Sequence, residues 1–365
     1  MKRAIAWIVA AATVGGASLQ AEEPFTISKE FTLMTSENLE GYLKPLFTTV
    51  EESINSNLYT TALHSESDWT VGINFAVQAF AIPDDQLRYD AVLPADFQDT
   101  TLSENVELRS DRERRNLPNT VSQPTIYGGV STPAFSAPQP TDDFNYARTV
   151  TFMEGNNISS MPGIPVVQLA LGIPTGTQLR FRFVGASFEV EDVDRSLSYF
   201  SIGLDQRFDH FFDLFNDDDT TASSIGLALN ANYAAMELTG MYEFTTFAVG
   251  LHGSKTWAFQ DGAETSDRDD DGIRSELTVF AGAQFEGMDG DFVAIREIDS
   301  QSADDVVNSP YSEIRNGEPI RIAIESHSSM RLTGGAAWRF GILELHASAF
   351  LASQPGASFG LGLWF

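Results

Sequence analysis

The chain ends at residues 358–365 with the stretch SFGLGLWF, in which large apolar side chains alternate with small or polar ones. Successive side chains of a β-strand point to opposite faces, so this period of two predicts a strand with one apolar face. The apolar face carries Phe359, Leu361, Leu363 and Phe365, and the opposite face carries Ser358, Gly360, Gly362 and Trp364. The strand is therefore expected to lie between one apolar environment and one crowded or polar environment, as in a sandwich or a barrel.

The same alternation recurs along the chain from about residue 57. It is clearest at 69–81, 167–173, 178–183, 199–208, 224–233, 320–325, 331–340 and 343–351. Clusters of turn-forming residues separate several of these segments, for example at 174–176, 216–219 and 354–356. Strands of about ten residues with this repeat are typical of a membrane barrel. The pattern predicts an all-β fold, a transmembrane antiparallel β-barrel of about 12 to 14 strands.

The first 21 residues, MKRAIAWIVAAATVGGASLQA, have the pattern of an export signal. Lys2 and Arg3 precede an apolar run of roughly ten residues, which is shorter than a membrane helix. Cleavage is expected after Ala21, and a buried N-terminal helix is the alternative. No later segment approaches the roughly 18 consecutive apolar residues of a membrane helix, so a membrane location would require a closed barrel.

Residues 22–56 are predicted to form an N-terminal helical segment, and residues 57–365 the barrel with a long loop at about 84–143. Within 36–56, apolar residues recur at the three-to-four spacing of a helix. Ser36 or Asn38 is expected to cap this helix, and Pro45 to kink it or to begin a second helix. The helix is interpreted either as a packing element or as a plug across the barrel mouth.

The composition restricts the partners. The net charge of −29 argues against nucleic acid, because binding phosphates requires clustered Lys and Arg. The absence of cysteine excludes disulfides, a lipid-anchor cysteine and thiolate metal sites. Acidic loops that face water account for the charge.

Charged side chains fall on the polar faces of the predicted strands and are candidates for lining the lumen. They are Arg180, Arg182, Asp205, Arg207, Arg321, Glu325, Arg331, Arg339, Glu344 and His346. One interpretation is a paired network that fills a closed interior, as in small barrels. The other is a polar lining that sets solute preference in a water-filled pore and favours anions locally.

Signals for other chemistry are weak. Asp267, Asp269 and Asp271 match the first half of a calcium loop, but Thr278 stands where a bidentate Glu is expected. The alternatives are weak calcium binding and a solvated acidic loop. The five histidines are scattered without an H-E-x-x-H pattern, and no nucleophile elbow, P-loop or dinucleotide fingerprint occurs. We therefore expect no enzyme and no cofactor other than weakly bound calcium.

The C-terminal stretch resembles the assembly signal of bacterial outer-membrane proteins. The resemblance rests on a polar Ser358, Gly360, the hydrophobic Leu363 and the terminal aromatic Phe365. It implies export to the outer membrane of a Gram-negative cell, with outer-membrane lipid and the barrel-assembly machinery as partners.

A second resemblance lies in residues 164–183, IPVVQLALGIPTGTQLRFRF. Its most specific residues are Gln168, Gly172, Pro174, Gly176, Thr177 and Arg180. With a looser likeness from about residue 40 to the C-terminus, the stretch is similar to a family of bacterial outer-membrane barrels known only as a domain of unknown function. The resemblance implies location and fold, and it carries no activity or catalytic residues.

The leading functional expectation is a passive pore or uptake channel for small solutes, selected by size and by the inward charges. A closed structural or adhesive barrel that acts through residues 84–143 and the acidic loops is one alternative. A transporter of hydrophobic compounds with the helix as hatch is another, and it would require an apolar lumen and a gap in the wall.

Overall fold

The structure is a computed structural model that describes residues 35–64, 67–92, 120–130, 135–136, 149–150, 152–190, 193–208, 223–238, 242–259, 275–295, 319–325 and 329–365. The predicted signal peptide and the aspartates Asp267, Asp269 and Asp271 lie outside these residues.

The helices and strands follow in chain order. They are α1 (Ser36–Ile54), β1 (Thr70–Ala81), a 3₁₀ helix (Asp84–Gln86), β2 (Arg88–Val92), β3 (Thr120–Pro124), β4 (Phe135–Ser136), β5 (Thr149–Val150), β6 (Ser160–Pro162), β7 (Val166–Ile173), β8 (Thr177–Val190), β9 (Val193–Arg207), β10 (Ser223–Leu238), β11 (Tyr242–Phe259), β12 (Ser275–Ile295), β13 (Pro319–Glu325), β14 (Ser329–Phe340), β15 (Leu343–Leu351) and β16 (Gly356–Trp364).

Within the described residues, the wall is a closed antiparallel barrel of ten strand positions, which confirms the predicted all-β barrel with an N-terminal helix. Around the wall, the order is β1, β7, β8, β9, β10, β11, β12, β14, β15 and β16, which returns to β1. β6 extends β7 along β1, and β13 extends β14 along β12. The predicted count of 12 to 14 strands was wrong. Strands such as the 21-residue β12 are longer than assumed, and β2 to β5 pair outside the wall.

The C-terminal strand closes the barrel. β16 pairs with β1 from Gly72–Trp364 to Phe80–Gly356, and the backbones of Val71 and Phe365 exchange hydrogen bonds of 2.8 and 2.9 Å. Phe359 and Phe365 face outward, whereas Ser358 and Gly360 face the interior. The stretch SFGLGLWF therefore joins the two ends of the sheet.

The alternation of β13 is opposite to the prediction at Ile322 and Ile324, and the side chains of Arg321 and Glu325, predicted to line the lumen, lie outside the described part of the structure. Ile322 and Ile324 are buried in the interior, and Arg321 and Glu325 occupy the alternate backbone positions. On β12, Glu286 pairs with Ser329 of β14, and Asp289 pairs with Glu325 of β13. Two residues separate these two positions on β12, whereas three separate Glu325 from Ser329 along the chain. Because one extra residue reverses which side chains face the core, the two strands have opposite phase.

An apolar belt covers the outside of the barrel. Its exposed side chains include Ile73, Phe75, Leu169, Phe183, Ile202, Leu204, Leu229, Val249, Leu251, Val279, Leu332, Leu345, Phe359 and Leu361. Exposed aromatic residues mark one end at Trp69, Phe259, Trp338, Phe340 and Phe365. A continuous apolar patch of this extent is unusual on a soluble monomer, and an apolar band with aromatic girdles is the surface of a lipid-facing barrel. Among the described residues, no helix has the length and apolar character needed to cross a membrane.

Helix α1 closes the opposite mouth of the barrel. Thr35, rather than Ser36 or Asn38, is the N-cap, and its Oγ1 accepts a 3.2 Å hydrogen bond from the backbone N–H of Asn38. Pro45 lies inside one uninterrupted helix. The apolar side of the helix packs in a cluster that includes Leu39, Leu43, Phe47, Met236, Phe244, Met288, Phe292, Ile322 and Ile324. The helix is thereby fixed to the ends of β10 to β13.

Candidate functional site

The barrel interior is occupied by the chain that follows α1. Asn55 accepts hydrogen bonds from Thr246 of β11 (3.3 Å) and Gln284 of β12 (2.8 Å). Farther along, Thr60 donates to Glu344 of β15 (3.2 Å), and the N–H of Ala62 donates to Ser254 of β11 (2.8 Å). Because contacts reach strands on opposite sides of the wall, this segment passes through the lumen. Residues 35–64 are called the plug below.

Part of the predicted long loop covers the helix from outside. Asn38 exchanges hydrogen bonds of 3.0 and 2.7 Å with the backbone of Val92, and the N–H of Ile126 donates to the carbonyl of Tyr42 (3.0 Å). Thr49 contacts the hydroxyl of Tyr127 (2.9 Å). The described residues of 82–92, 120–130 and 152–165 thus form a cap over the mouth that α1 closes.

Three of the predicted lumen arginines bind the plug. Arg182 donates to the carbonyls of Ile54 (2.8 Å) and Asn57 (2.7 Å), and Arg331 donates to the carbonyl of Glu52 (2.8 Å). Arg180 donates to the carbonyl of Leu58. The carbonyls of Glu52 and Ile54 lie in the last turn of α1, where helix carbonyls lack intrahelical partners and attract positive charge. The arginines therefore hold the plug and are almost fully buried.

Two buried carboxylates balance two of these arginines. Asp205 accepts a 2.9 Å bond from Arg180, and Glu286 accepts from both Nε and Nη2 of Arg331, the latter at 3.1 Å. Asp205 was among the predicted residues, whereas Glu286 was not, because the strand at 275–295 was not identified. The signal was present in VFAGAQFEGM, where Gln284 and Glu286 alternate with Ala283 and Phe285.

The remaining predicted lumen residues lie towards the end of the barrel that carries the C-terminus. Arg339 is about one third exposed, pairs with Glu344 (3.2 Å) and lies 5.0 Å from the ring of Trp364. His346 is buried with its Nδ1 3.8 Å from Glu344. Arg207 is half-buried near the end of β9. This second charged group is separate from the arginines that hold the helix end.

The predicted assembly residues also touch the interior. The hydroxyl of Ser358 donates to the plug residue Asn57 (2.5 Å), and Gly360 lies so close to His346 that a Cβ would be 2.2 Å from the imidazole Nε2. Leu363 is half-buried and Phe365 is exposed. Ser358 and Gly360 therefore have roles in packing the closed barrel.

Glu52 is the plug carboxyl with the most unusual environment. One oxygen accepts from the N–H of Gln354 (2.9 Å), and the other, Oε2, is buried with no hydrogen-bond partner in the described part of the chain. Burial raises the pKa of Glu52 to about 8, although the nearby Arg331 and the N–H of Gln354 act to lower it. Glu286 and Glu51 add to this increase in the pKa through charge repulsion. Glu52 is thus protonated at neutral pH while the plug is in place.

Narrow gaps remain between plug and wall. One gap of about 20 Å³ is lined by plug residues 57–60 and by wall residues that include Asn74, Gln168, Gln178 and His346. Another of about 10 Å³ lies between plug residues 55–59 and Gln284, Arg331 and Ser348. The linings combine polar side chains with apolar ones such as Leu58 and Val166, and each gap has room for about one water molecule.

Comparison with solved structures finds weak similarities, which include the following three. OccAB4 of Acinetobacter baumannii is 8% identical, with 83% of this chain and 98% of that chain covered and a TM-score of 0.16. A variant of OccD1 (OprD) is 10% identical over 84% and 98%, with a TM-score of 0.14. OpdO of Pseudomonas aeruginosa is 7% identical over 83% and 97%, with a TM-score of 0.11. TM-scores this low mean that the chains do not superpose, so they carry no information on function.

Comparison with protein sequences identifies a family. No curated protein matches the chain. A family model with the description "Family of unknown function (DUF6588)" matches residues 1–365.

Proposed function

Because the chain belongs to the family of unknown function DUF6588, we propose its function from the barrel interior: an outer-membrane channel for small polar solutes that its own plug holds closed. The observation that carries the proposal is the way in which the plug is held. Arg180, Arg182 and Arg331 bind plug carbonyls rather than apolar side chains. Water can replace such contacts at a moderate cost, because a hydrogen bond from a charged group contributes about 1.5–3 kcal/mol.

The outer-membrane location is supported by the wall. The apolar belt requires an apolar solvent, and in lipid a closed barrel leaves no unpaired strand edge. The export pattern of residues 1–21 and the C-terminal stretch SFGLGLWF favour the outer membrane of a Gram-negative cell. Long wall strands such as β11, with 18 residues, are sufficient to cross it.

A polar solute fits the lumen better than a hydrophobic one. The buried wall side chains around the plug include Asn74, Gln168, Gln178, Asn230, Asn232, Gln284 and Glu286. A hydrophobic substrate that leaves sideways into the membrane would need a gap in the wall. The strand pairing is continuous around the described barrel, and β11 pairs with β12 along its full length.

The alternative is a structural barrel in which the plug never moves. It is favoured by the apolar cluster at the mouth, where α1 packs against the ends of β10 to β13. A barrel of eight strands fills with its own side chains, whereas ten leave space. In the structural barrel, the plug serves only to fill that space.

The test is conductance across a planar bilayer with a plug that can be locked. Thr61 of the plug and Ser254 of β11 have hydroxyl oxygens 3.4 Å apart, and the chain has no native cysteine. A Thr61→Cys/Ser254→Cys variant is recorded before and after reduction. We expect channel openings when it is reduced and at least a tenfold loss of openings when it is oxidised. The two single-cysteine variants are the controls and should not respond to the redox state.

Removal of residues 36–64, which include both the helix and the segment inside the lumen, separates the two functions. A channel held shut by the plug should then pass steady current. A deletion variant that folds and inserts, as judged by circular dichroism and heat-modifiable gel mobility, and still passes no current would contradict the channel and support the structural barrel.

A substitution at the C-terminus tests the proposed outer-membrane location. Replacing Phe365 with Ala removes an exposed ring but keeps the backbone hydrogen bonds to Val71. We expect several-fold less folded barrel in outer-membrane fractions of cells, while refolding from urea into detergent is unchanged. Leu351→Ala, which removes another strongly exposed apolar side chain, is the matched control. Equal loss in cells for both variants would show that Phe365 has no special role in assembly.

A further inference from the structure

Two of the five histidines, which appear scattered in the sequence, meet at one carboxylate inside the barrel. His64 comes from the end of the plug, and Asp205 and His252 come from β9 and β11. The Nε2 atoms of His64 and His252 lie 3.4 and 3.5 Å from Oδ2 of Asp205. All three side chains are at least nine-tenths buried.

Among the described residues, two polar atoms of this cluster have no hydrogen-bond partner. They are Nε2 of His64 and Oδ1 of Asp205. A buried polar atom without a partner costs about 1–3 kcal/mol, so such atoms call for an explanation. Both belong to residue types that are common ligands of transition metals.

We propose that His64, Asp205 and His252 form a binding site for a divalent transition-metal ion of the Zn²⁺ class, which joins the plug to the wall. Ligand atoms about 2.0–2.1 Å from a tetrahedral ion are separated from one another by roughly 3.3 Å. The two separations from Asp205 Oδ2, 3.4 and 3.5 Å, are close to that value, and the ligand atoms of all three side chains lie within 4.8 Å of one another. The side chains therefore need little movement to bind an ion.

The neighbours of the cluster are suited to hold the ligands. The side-chain amide nitrogen of Asn230 lies 3.4 Å from Nδ1 of His252. A 180° turn of this amide would place there its Oδ1, which has no hydrogen-bond partner among the described residues and would accept from Nδ1–H. That tautomer leaves Nε2 free for the ion. Arg180 holds one oxygen of Asp205 at 2.9 Å, and the ring of Tyr59 stacks on His252 with centroids 4.0 Å apart.

Two contacts compete with the ion and limit its affinity. Arg180 already neutralises Asp205, and Nε2 of His252 lies 3.1 Å from the carbonyl of Thr61 and donates to it when protonated. The metal is thus an added lock, and the barrel also folds without it. The proposed metal binding depends only on the geometry of this cluster. An effect of the metal on conductance depends also on the proposed channel function.

Titration of the refolded, untagged full chain tests the site. After treatment with a chelator, Zn²⁺ binding is measured by calorimetry, and Co²⁺ binding by its visible absorption, which reports tetrahedral nitrogen and oxygen ligands. We expect one equivalent per chain with micromolar or tighter affinity. His64→Ala and His252→Gln should weaken binding at least tenfold. His346→Gln, which changes another buried histidine, should leave it unchanged.

The outcomes separate the two proposals. Absence of saturable Zn²⁺ and Co²⁺ binding, or equal affinity in the His64→Ala variant with a native circular dichroism spectrum, would overturn the metal site. Zn²⁺ that binds through His64 and His252 but leaves the currents of the unmodified channel unchanged would keep the site and refute its role as a lock. If the plug-deletion variant inserts into a bilayer and passes no current, the channel is refuted. That result leaves the proposal of the metal site unaffected.

Discussion

Replacing Arg331 with Met is expected to lower the free energy of unfolding by about 3–5 kcal/mol, because it leaves the buried Glu286 without its charged partner. The same change removes a hydrogen bond to the carbonyl of Glu52 (2.8 Å) and a contact between the guanidinium and the ring of Phe350 (4.7 Å). Urea unfolding of the refolded barrel in detergent, followed by circular dichroism, measures the effect.

A double substitution separates the charge from the packing. Combining Arg331→Met with Glu286→Gln removes both charges and keeps the side-chain volumes similar, so we expect it to recover at least half of the lost stability. Arg88→Met in the cap is the matched control, since Arg88 is exposed and its described hydrogen bonds go to Ser122, and it should cost less than about 1 kcal/mol. A double variant as unstable as Arg331→Met alone would mean that the stabilisation lies in packing rather than in the ion pair.

The loss of stability should fall mainly on the plug. Arg331 and Glu286 both lie on the wall, but Arg331 also binds the last turn of α1, and Gln284 beside them binds Asn55. Limited proteolysis should therefore cut the plug of the Arg331→Met variant before it cuts the strands. This order links the stability of the ion pair to the closed state of the proposed channel.

Much of the barrel could be predicted because strand alternation is a local property. The phase of β1, β7 to β10, β14, β15 and β16 follows directly from which side chains are apolar. On these strands, Arg180, Arg182 and Arg331 occupy buried positions of the alternation. The helix was recognisable from the spacing of its apolar residues, and its 19 residues end at Ile54.

What could not be predicted depends on contacts between distant parts of the chain. One extra residue between β13 and β14 reverses the alternation of Ile322 and Ile324, and no local signal marks it. The strand count requires the register of the whole wall. The binding of the plug by the arginines could not be predicted either, because their partners are backbone carbonyls of the plug, which carry no sequence signal. The meeting of His64, Asp205 and His252 likewise exists only after the plug has entered the barrel.

Raising the pH from 5 to 8 is expected to increase plug opening on the order of a hundredfold, because of Glu52. The pKa of Glu52 is about 8 in the closed barrel, against 4.5 for the free carboxyl. Between these two pKa values, Glu52 is protonated in the closed state and ionised in the open state, so opening releases a proton. Below pH 4.5 both states are protonated and the group has no effect. As the pH rises towards 8, the closed state loses about 1.4 kcal/mol per pH unit relative to the open state, and above 8 the loss is complete.

Single-channel recording from pH 5 to 9 measures this dependence as the open probability. Glu52→Gln keeps the acceptor for the N–H of Gln354 (2.9 Å) but cannot ionise, so its open probability should stay low and nearly constant. Glu40→Gln on the exposed side of α1 is the matched control and should follow the unmodified protein. The carboxyls of Glu51 and Glu286 and the guanidinium of Arg331 also act on Glu52. If Glu52→Gln opens with rising pH as the unmodified protein does, one of those neighbours, rather than Glu52, carries the pH response. If the open probability falls as the pH rises, the closed state does not hold the extra proton, and the assignment of a protonated Glu52 is wrong.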